Sequence, residues 1–166
     1  MNEQDRLPAA EWEKRVEALR ASDCGHQELI IQMTALAAAA PHPALGAFEL
    51  AGAFDSTGHE DEADAEYSRA TAQGLSDVDP SRASQLVVQH ASTLRNLGRV
   101  DAAIEMLRDA PPHPDTGAAP AVFLALALHS AGRHDEALRT AVEAIEPTLP
   151  RYNRSVRAYA AALADE

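Results

Sequence analysis

Gly58, Gly98 and Gly132 sit inside the same local pattern. The segments Gly58-His59-Glu60-Asp61-Glu62-Ala63, Gly98-Arg99-Val100-Asp101-Ala102-Ala103 and Gly132-Arg133-His134-Asp135-Glu136-Ala137 place a glycine, an acidic or polar step and an alanine at one spacing. Seven residues before each glycine stands Ala51, Ala91 or Ala125, and four before it Phe54, Leu94 or Leu128. Four residues beyond each closing alanine come Tyr67, Leu107 and Ala141, and three further on Ala70, Ala110 and Ala144. Steps of three, four and seven are those of a helix face. A glycine between two such faces accepts the positive φ that ends a helix. Acidic residues just after it favour the positive end of the next helix. Each unit therefore reads as a helical hairpin. Its small residues let the two helices touch, and no single hairpin can bury its apolar face alone.

Composition supports an all-α reading. Alanine is the commonest residue, apolar residues make up 46% and aromatics 4% of the chain. Alanine is the best helix former and permits close axes. Runs of β-branched residues alternating with polar ones are missing, so a sheet is not expected. At 166 residues the chain is long enough for one domain with its own core.

The formal charge of −12 repels phosphate backbones and anionic lipid, so neither nucleic acid nor membrane is an expected partner. A lone Cys24 allows no intrachain disulfide and points to a reducing compartment. The first residues, Met1 to Arg6, are polar without a following apolar stretch, and the bland run Ala35 to Ala40 is too short to span a bilayer. The expectation is a soluble cytoplasmic protein.

With these residues the pattern resembles the tetratricopeptide repeat, whose 34-residue consensus runs W-x2-L-G-x2-Y…A-x3-F…P. Gly98 to Gly132 spans 34 residues, and Gly58 to Gly98 spans 40. The six extra residues fall within Gln73-Gly74-Leu75-Ser76-Asp77-Val78-Asp79-Pro80, read as a loop with Asp79 as N-cap and Pro80 opening the next helix. The first repeat matches best, through Leu50, Ala51, Phe54, Gly58, Ala63, Tyr67 and Ala70. The second carries His90 where leucine is usual. The third has Ala141 where an aromatic is usual. Ala47, Val87 and Ala121 replace the motif's tryptophan. The order also resembles a bacterial subfamily of this length with an extended first linker.

The resemblance implies an α-solenoid, a right-handed superhelix of three hairpins with helical caps at both ends. Residues 1–43 are expected to form an N-terminal cap. Trp12, Val16 and Leu19 share one face of its first helix, and Leu29, Ile30, Met33, Leu36 and Ala37 are apolar in its second. Gly25, 33 residues before Gly58, marks this cap as a worn repeat. Residues 44–147 hold the repeats, at about 44–77, 84–117 and 118–147. Residues 148–166 form a C-terminal capping helix over Arg151 to Ala164, with Val156, Tyr159, Ala160 and Leu163 facing in.

Motifs with chemistry of their own are few. His59 and His134 occupy equivalent turn positions, and His129 and His134 are spaced by five, where a helix face would need three or four. His42 and His113 each lie in an extended Pro-His-Pro stretch. The acidic run Glu60, Asp61, Glu62, Asp64 and Glu66 reads as a helix N-terminus and a solvated face, without the glycine and glutamate of a calcium loop. Cys24 has no nominated base. G-x-S-x-G, G-x-x-x-x-G-K and G-x-G-x-x-G are absent. Arg151, Arg154 and Arg157 recur every three residues as the wet side of a cap, or a surface for an acidic partner or for the acidic run of a second copy. No catalytic residue, metal site or cofactor is expected.

By the resemblance, positions 2, 5, 9 and 12 of each first helix line a concave groove. These are Leu45, Phe48, Gly52 and Asp55, then Gln85, Val88, Ser92 and Arg95, then Ala119, Val122, Leu126 and His129. The apolar floor and polar ends suit an extended peptide or a helix. Members that clamp C-terminal carboxylates use Lys and Asn where this chain has Phe48, Gly52, Gln89, Ala119 and Phe123, so that clamp is absent. The expected function is a non-catalytic module binding an unidentified protein or peptide. A sensor or regulator taking a small ligand or peptide, and a homodimeric scaffold, stay open as alternatives.

Overall fold

The computed structural model describes residues 6–163. The regular elements among the described residues are all helical: α1 (Ala9–Arg20), α2 (His26–Ala38), α3 (Pro43–Asp55), α4 (Glu60–Ala72), α5 (Leu75–Val78), α6 (Pro80–Asn96), α7 (Val100–Arg108), α8 (Ala119–Ser130), α9 (His134–Ile145) and α10 (Asn153–Ala162), with a 3-10 turn at Glu146–Thr148. By contacts the chain divides into two compact units, Met1–Leu86 and Val87–Glu166, so that the boundary falls inside α6.

The three glycine corners are built alike. Gly58, Gly98 and Gly132 have φ of 79°, 77° and 76°. The amide after each glycine donates back across the helix end, from His59 to Phe54 O (3.0 Å), Arg99 to Leu94 O (2.8 Å) and Arg133 to Leu128 O (2.9 Å). The glycine amides donate to Asp55 O, Arg95 O and His129 O at 3.2, 3.0 and 3.0 Å. This paired 6→1 and 5→2 closure is a Schellman motif, which satisfies carbonyls left over at a helix end. Phe54, Leu94 and Leu128 thus supply the acceptor as well as apolar bulk. Ala51, Ala91 and Ala125 are buried, as are Ala63, Ala103 and Ala137 on the second helices. Gly25 differs: its φ is −67° and it stands as the N-cap of α2, so the N-terminal pair turns without a left-handed glycine.

The long connection is not all loop. Gly74 turns the chain at φ 77°, and the residues after it form the single turn α5, which packs against α3 and α4 with Leu75 buried. Burying that one leucine gives the insertion a fixed place. Asp79 is the N-cap of α6, its Oδ1 accepting from the Arg82 amide at 2.9 Å. The last helix starts at Asn153, two residues later than its expected start at Arg151, after Tyr152 at φ 75°. Ala164, its expected end, lies outside the described residues.

In the N-terminal unit α3 is sheathed on nearly every side, with Ala44 through Ala51 and Ala53 all buried. Helix α2 crosses close to it at Gly46. A Cβ there would lie 3.0 Å from the Ala37 carbonyl carbon and collide with its oxygen. Gly46→Ala should therefore destabilise this unit by about 1–3 kcal/mol, the usual cost of overpacking, despite alanine's better helix propensity. Urea unfolding followed by circular dichroism checks this; a stabilised variant would mean the helices do not approach so closely.

Glu49 lies in the middle of α3 with its side chain 0% exposed. Its Oε1 accepts from Arg82 Nε at 3.0 Å, and its Oε2 forms an ion pair with Arg20, without hydrogen-bond geometry. The Arg82 guanidinium also donates to Glu13 Oε1 and Oε2 at 2.9 and 2.6 Å and to Asp79 Oδ2 at 2.8 Å. Its Cζ lies 5.7 Å from the centre of the Trp12 ring. Burial pushes the Glu49 carboxyl above its ordinary range, opposed by the charges of Arg20 and Arg82. For Asp79 burial also acts upward, but the Arg82 amide and guanidinium hold it below its ordinary value.

Candidate functional site

The expected groove positions do not all meet solvent. Phe48 is 1% exposed, with its ring centre 6.5 Å from that of Tyr67, and Leu45 is also buried. Both belong to the core of the N-terminal unit, which corrects their reading as surface for a partner. The reason is that α3 has neighbours on all sides instead of one bare face. Asp55 and Gln85 are half-buried.

In the C-terminal unit the pattern holds a more open surface. Helix α8 packs against α7 on one side and α9 on the other. Ala125, Ala127 and Leu128 are its buried residues. Ala127 and Leu128 join Ala91, Leu94, Ala103, Ile104, Leu107 and Ala137 in one apolar cluster. On α8 away from that cluster, Val122 is 41% and Leu126 46% exposed. They stand one helical turn apart, and His129 is exposed a turn further on. On α6, Ser92 and Arg95 are half-buried, while Val88 is buried. Val122, Leu126 and His129 therefore form an accessible strip, apolar at one end and polar at the other.

His129 also meets the ring of His134 across the glycine corner, with centroids 4.8 Å apart. Arg133 holds Glu136 through two hydrogen bonds of 2.6 Å, and Arg108 on α7 reaches the same carboxylate at 3.3 Å. These contacts fix the start of α9 and leave the strip on α8 open. Among the described residues, no three His, Cys, Asp or Glu side chains gather in a metal-holding group. A cleft of about 510 Å³ opens between α1 and α2 beside Leu19, Ser22, Cys24 and Leu36, and none of the expected groove positions lines it. The Cys24 thiol there accepts from Ser22 Oγ at 3.2 Å.

Paired helices, identical glycine corners and buried alanines at a fixed register define a helical-repeat protein. A family model, the tetratrico peptide repeat, matches residues 44–163, and the chain belongs to that family. The family generally mediates protein–protein interaction and is generally non-catalytic. No curated protein and no solved structure gives a match. No helix among the described residues is long and apolar enough to cross a membrane.

The buried ion cluster around Arg82 was not legible as a site. Glu13, Glu49, Asp79 and Arg82 lie up to 69 residues apart in sequence. The one local signal was a glutamate amid the apolar run of α3.

Proposed function

We propose that this chain is a non-catalytic interaction module that holds a partner protein against the first-helix face of its second and third hairpins. Val122, Leu126 and His129 form the centre, with Ser92 and Arg95 as polar contributors from α6. The observation that carries the reading is the half-open pair Val122 and Leu126 on a helix whose other sides are filled by α7 and α9. Two apolar anchors one turn apart, ending in a polar residue, suit a peptide strand or an amphipathic helix. Leu45 and Phe48 contribute by holding α3 in place, not by contact.

The test uses Val122→Asp with Leu126→Asp. Both side chains are half in water, so the pair should cost about 1 kcal/mol of stability or less. Affinity capture from the native host, with mass spectrometry, identifies the bound protein. A purified partner titrated against both forms should then bind the variant at least tenfold more weakly. Unchanged affinity in a variant of normal helicity would remove α8 from the binding face.

A further inference from the structure

Helices α2 and α4 both pack against α3. At the C-terminal end of α2 the side chains are short: Ala37, Ala38 and, just beyond the helix, Ala40. With Pro43 and Leu50 of α3 and Glu66 and Arg69 of α4 they line a cavity of about 270 Å³. Leu50 and Ala40 are buried, so the apolar part of this wall belongs to the packed interior of the N-terminal unit. Alanine methyls are too short to fill the space beside it. The segment before α1 is tied to the same place. The Leu7 amide donates to Ala39 O at 2.8 Å, and Arg6 joins the lining.

The charges in the lining run against the composition. Residues 1–86 carry sixteen carboxylate side chains and six basic ones. One of the sixteen lines the cavity, and two of the six do, Arg6 and Arg69. The carboxylate, Glu66, has a side chain 19% exposed and forms an ion pair with Arg69, which offsets its charge. A guanidinium carries five N–H donors in a planar fork, more than one carboxylate can take. The Thr34 hydroxyl donates to Ile30 O at 2.7 Å, which leaves the two guanidinium groups as the side-chain donors of the lining. The lining therefore combines an excess of positive charge with an apolar wall. A volume of 270 Å³ holds roughly nine groups the size of a water molecule, too few for a nucleotide or a folded segment.

We propose that this cavity is a binding site for a small aliphatic monocarboxylate. The carboxylate is held by Arg6 and Arg69, and the hydrocarbon body lies against Leu50, Pro43 and the three alanines. Charge-assisted hydrogen bonds from the guanidinium groups select an acid over a neutral molecule of the same shape. The volume limits the body to about six carbons. The site lies within the N-terminal unit and the strip on α8 within the C-terminal one, so either assignment can fail without the other.

The probe is hexanoate, titrated into the full chain with the methyl groups of Ala37, Ala38, Ala40 and Leu50 followed by NMR. Those resonances should shift and saturate, with a Kd on the order of 1 mM or tighter. Hexanol keeps the body without the charge, and acetate keeps the charge without the body. Each should bind at least tenfold more weakly than hexanoate. Arg6→Gln/Arg69→Gln should weaken hexanoate at least tenfold. Ala38→Leu should do the same by filling the cavity, while leaving both arginines and the Glu66–Arg69 pair in place. Ala38, Arg6 and Arg69 are exposed, so these variants should keep full helicity. Arg15→Gln, which removes an exposed arginine that does not line the cavity, should leave the affinity unchanged. The absence of a saturable shift, hexanol binding as tightly as hexanoate, or binding indifferent to Ala38→Leu overturns the proposal. So does weakening by Arg15→Gln as large as that of the double variant, since the acid would then be drawn to surface charge and not to the cavity.

Discussion

Arg82→Ala should lower the unfolding free energy by about 3–5 kcal/mol, the usual cost of removing one partner from a buried ion pair. The guanidinium bonds three carboxylates at once and reaches the Trp12 ring, so truncation leaves more than a cavity. The severe consequence falls on Glu49, whose side chain has no exposed surface and would keep only Arg20 as a counter-charge. An uncompensated buried carboxylate is among the few mechanisms that produce losses of this size. Arg82→Lys should recover only part of the loss, because an ammonium cannot donate in three directions with the guanidinium's planar fork. Glu49→Gln placed in the Arg82→Ala background should also recover part, since an amide needs no counter-charge. Denaturant melts of the parent, Arg82→Ala, Arg82→Lys, Glu49→Gln and the Glu49→Gln/Arg82→Ala double variant check the scheme. Near-additive losses for Glu49→Gln and Arg82→Ala would show that the two side chains are not coupled.

Trp12→Ala should cost a similar amount, about 3–5 kcal/mol, through lost packing and the cavity left behind. The indole is fully buried between α1 and its neighbours, and its Nε1–H donates to Leu36 O on α2 at 2.8 Å. Trp12→Phe keeps most of the apolar contact but leaves that carbonyl without its donor. Its loss should be smaller, about 1–3 kcal/mol. Because Trp12 is the only tryptophan, unfolding must be followed by circular dichroism and not by indole emission. A Trp12→Ala protein as stable as the parent would show that α1 adds nothing to this core. The indole and Arg82 touch, so the two large losses should not sum in the double variant.

What the sequence disclosed and what it hid follow from the range of the interactions. The glycine corners, the buried alanines and the Asp79 cap are set within a few residues of each other, and their spacing could be read directly. Trp12 was recognisable as an anchor because a large apolar residue on a helix face has few other uses. The Arg82 cluster was hidden, since nothing local pairs a residue in α6 with one in α1. Gly46 was hidden for a related reason: its lack of a side chain matters only where α2 crosses. Leu45 and Phe48 show the opposite failure. Their repeat positions predicted an open face, but α3 is enclosed, and position within a repeat does not report how many neighbours a helix has. Val122 occupies the position of Phe48, and Leu126 that of Gly52, on a helix with a bare side. Tyr159, expected to face in, is 75% exposed, because the repeat position that turns it inward depends on a helix packed on that side, and among the described residues α10 packs only against α9 and the 3-10 turn.

The enclosure of α3 also governs when its backbone can meet water. A helix at the rim of a bundle loses amide protection by fraying or by small local openings. Helix α3 has no bare flank along its middle, so deuterium can reach the amides around Glu49 only when the surrounding helices separate together. Isotope uptake at those positions therefore measures the cooperative opening of the whole N-terminal unit, and the slowest protons there serve as its internal gauge.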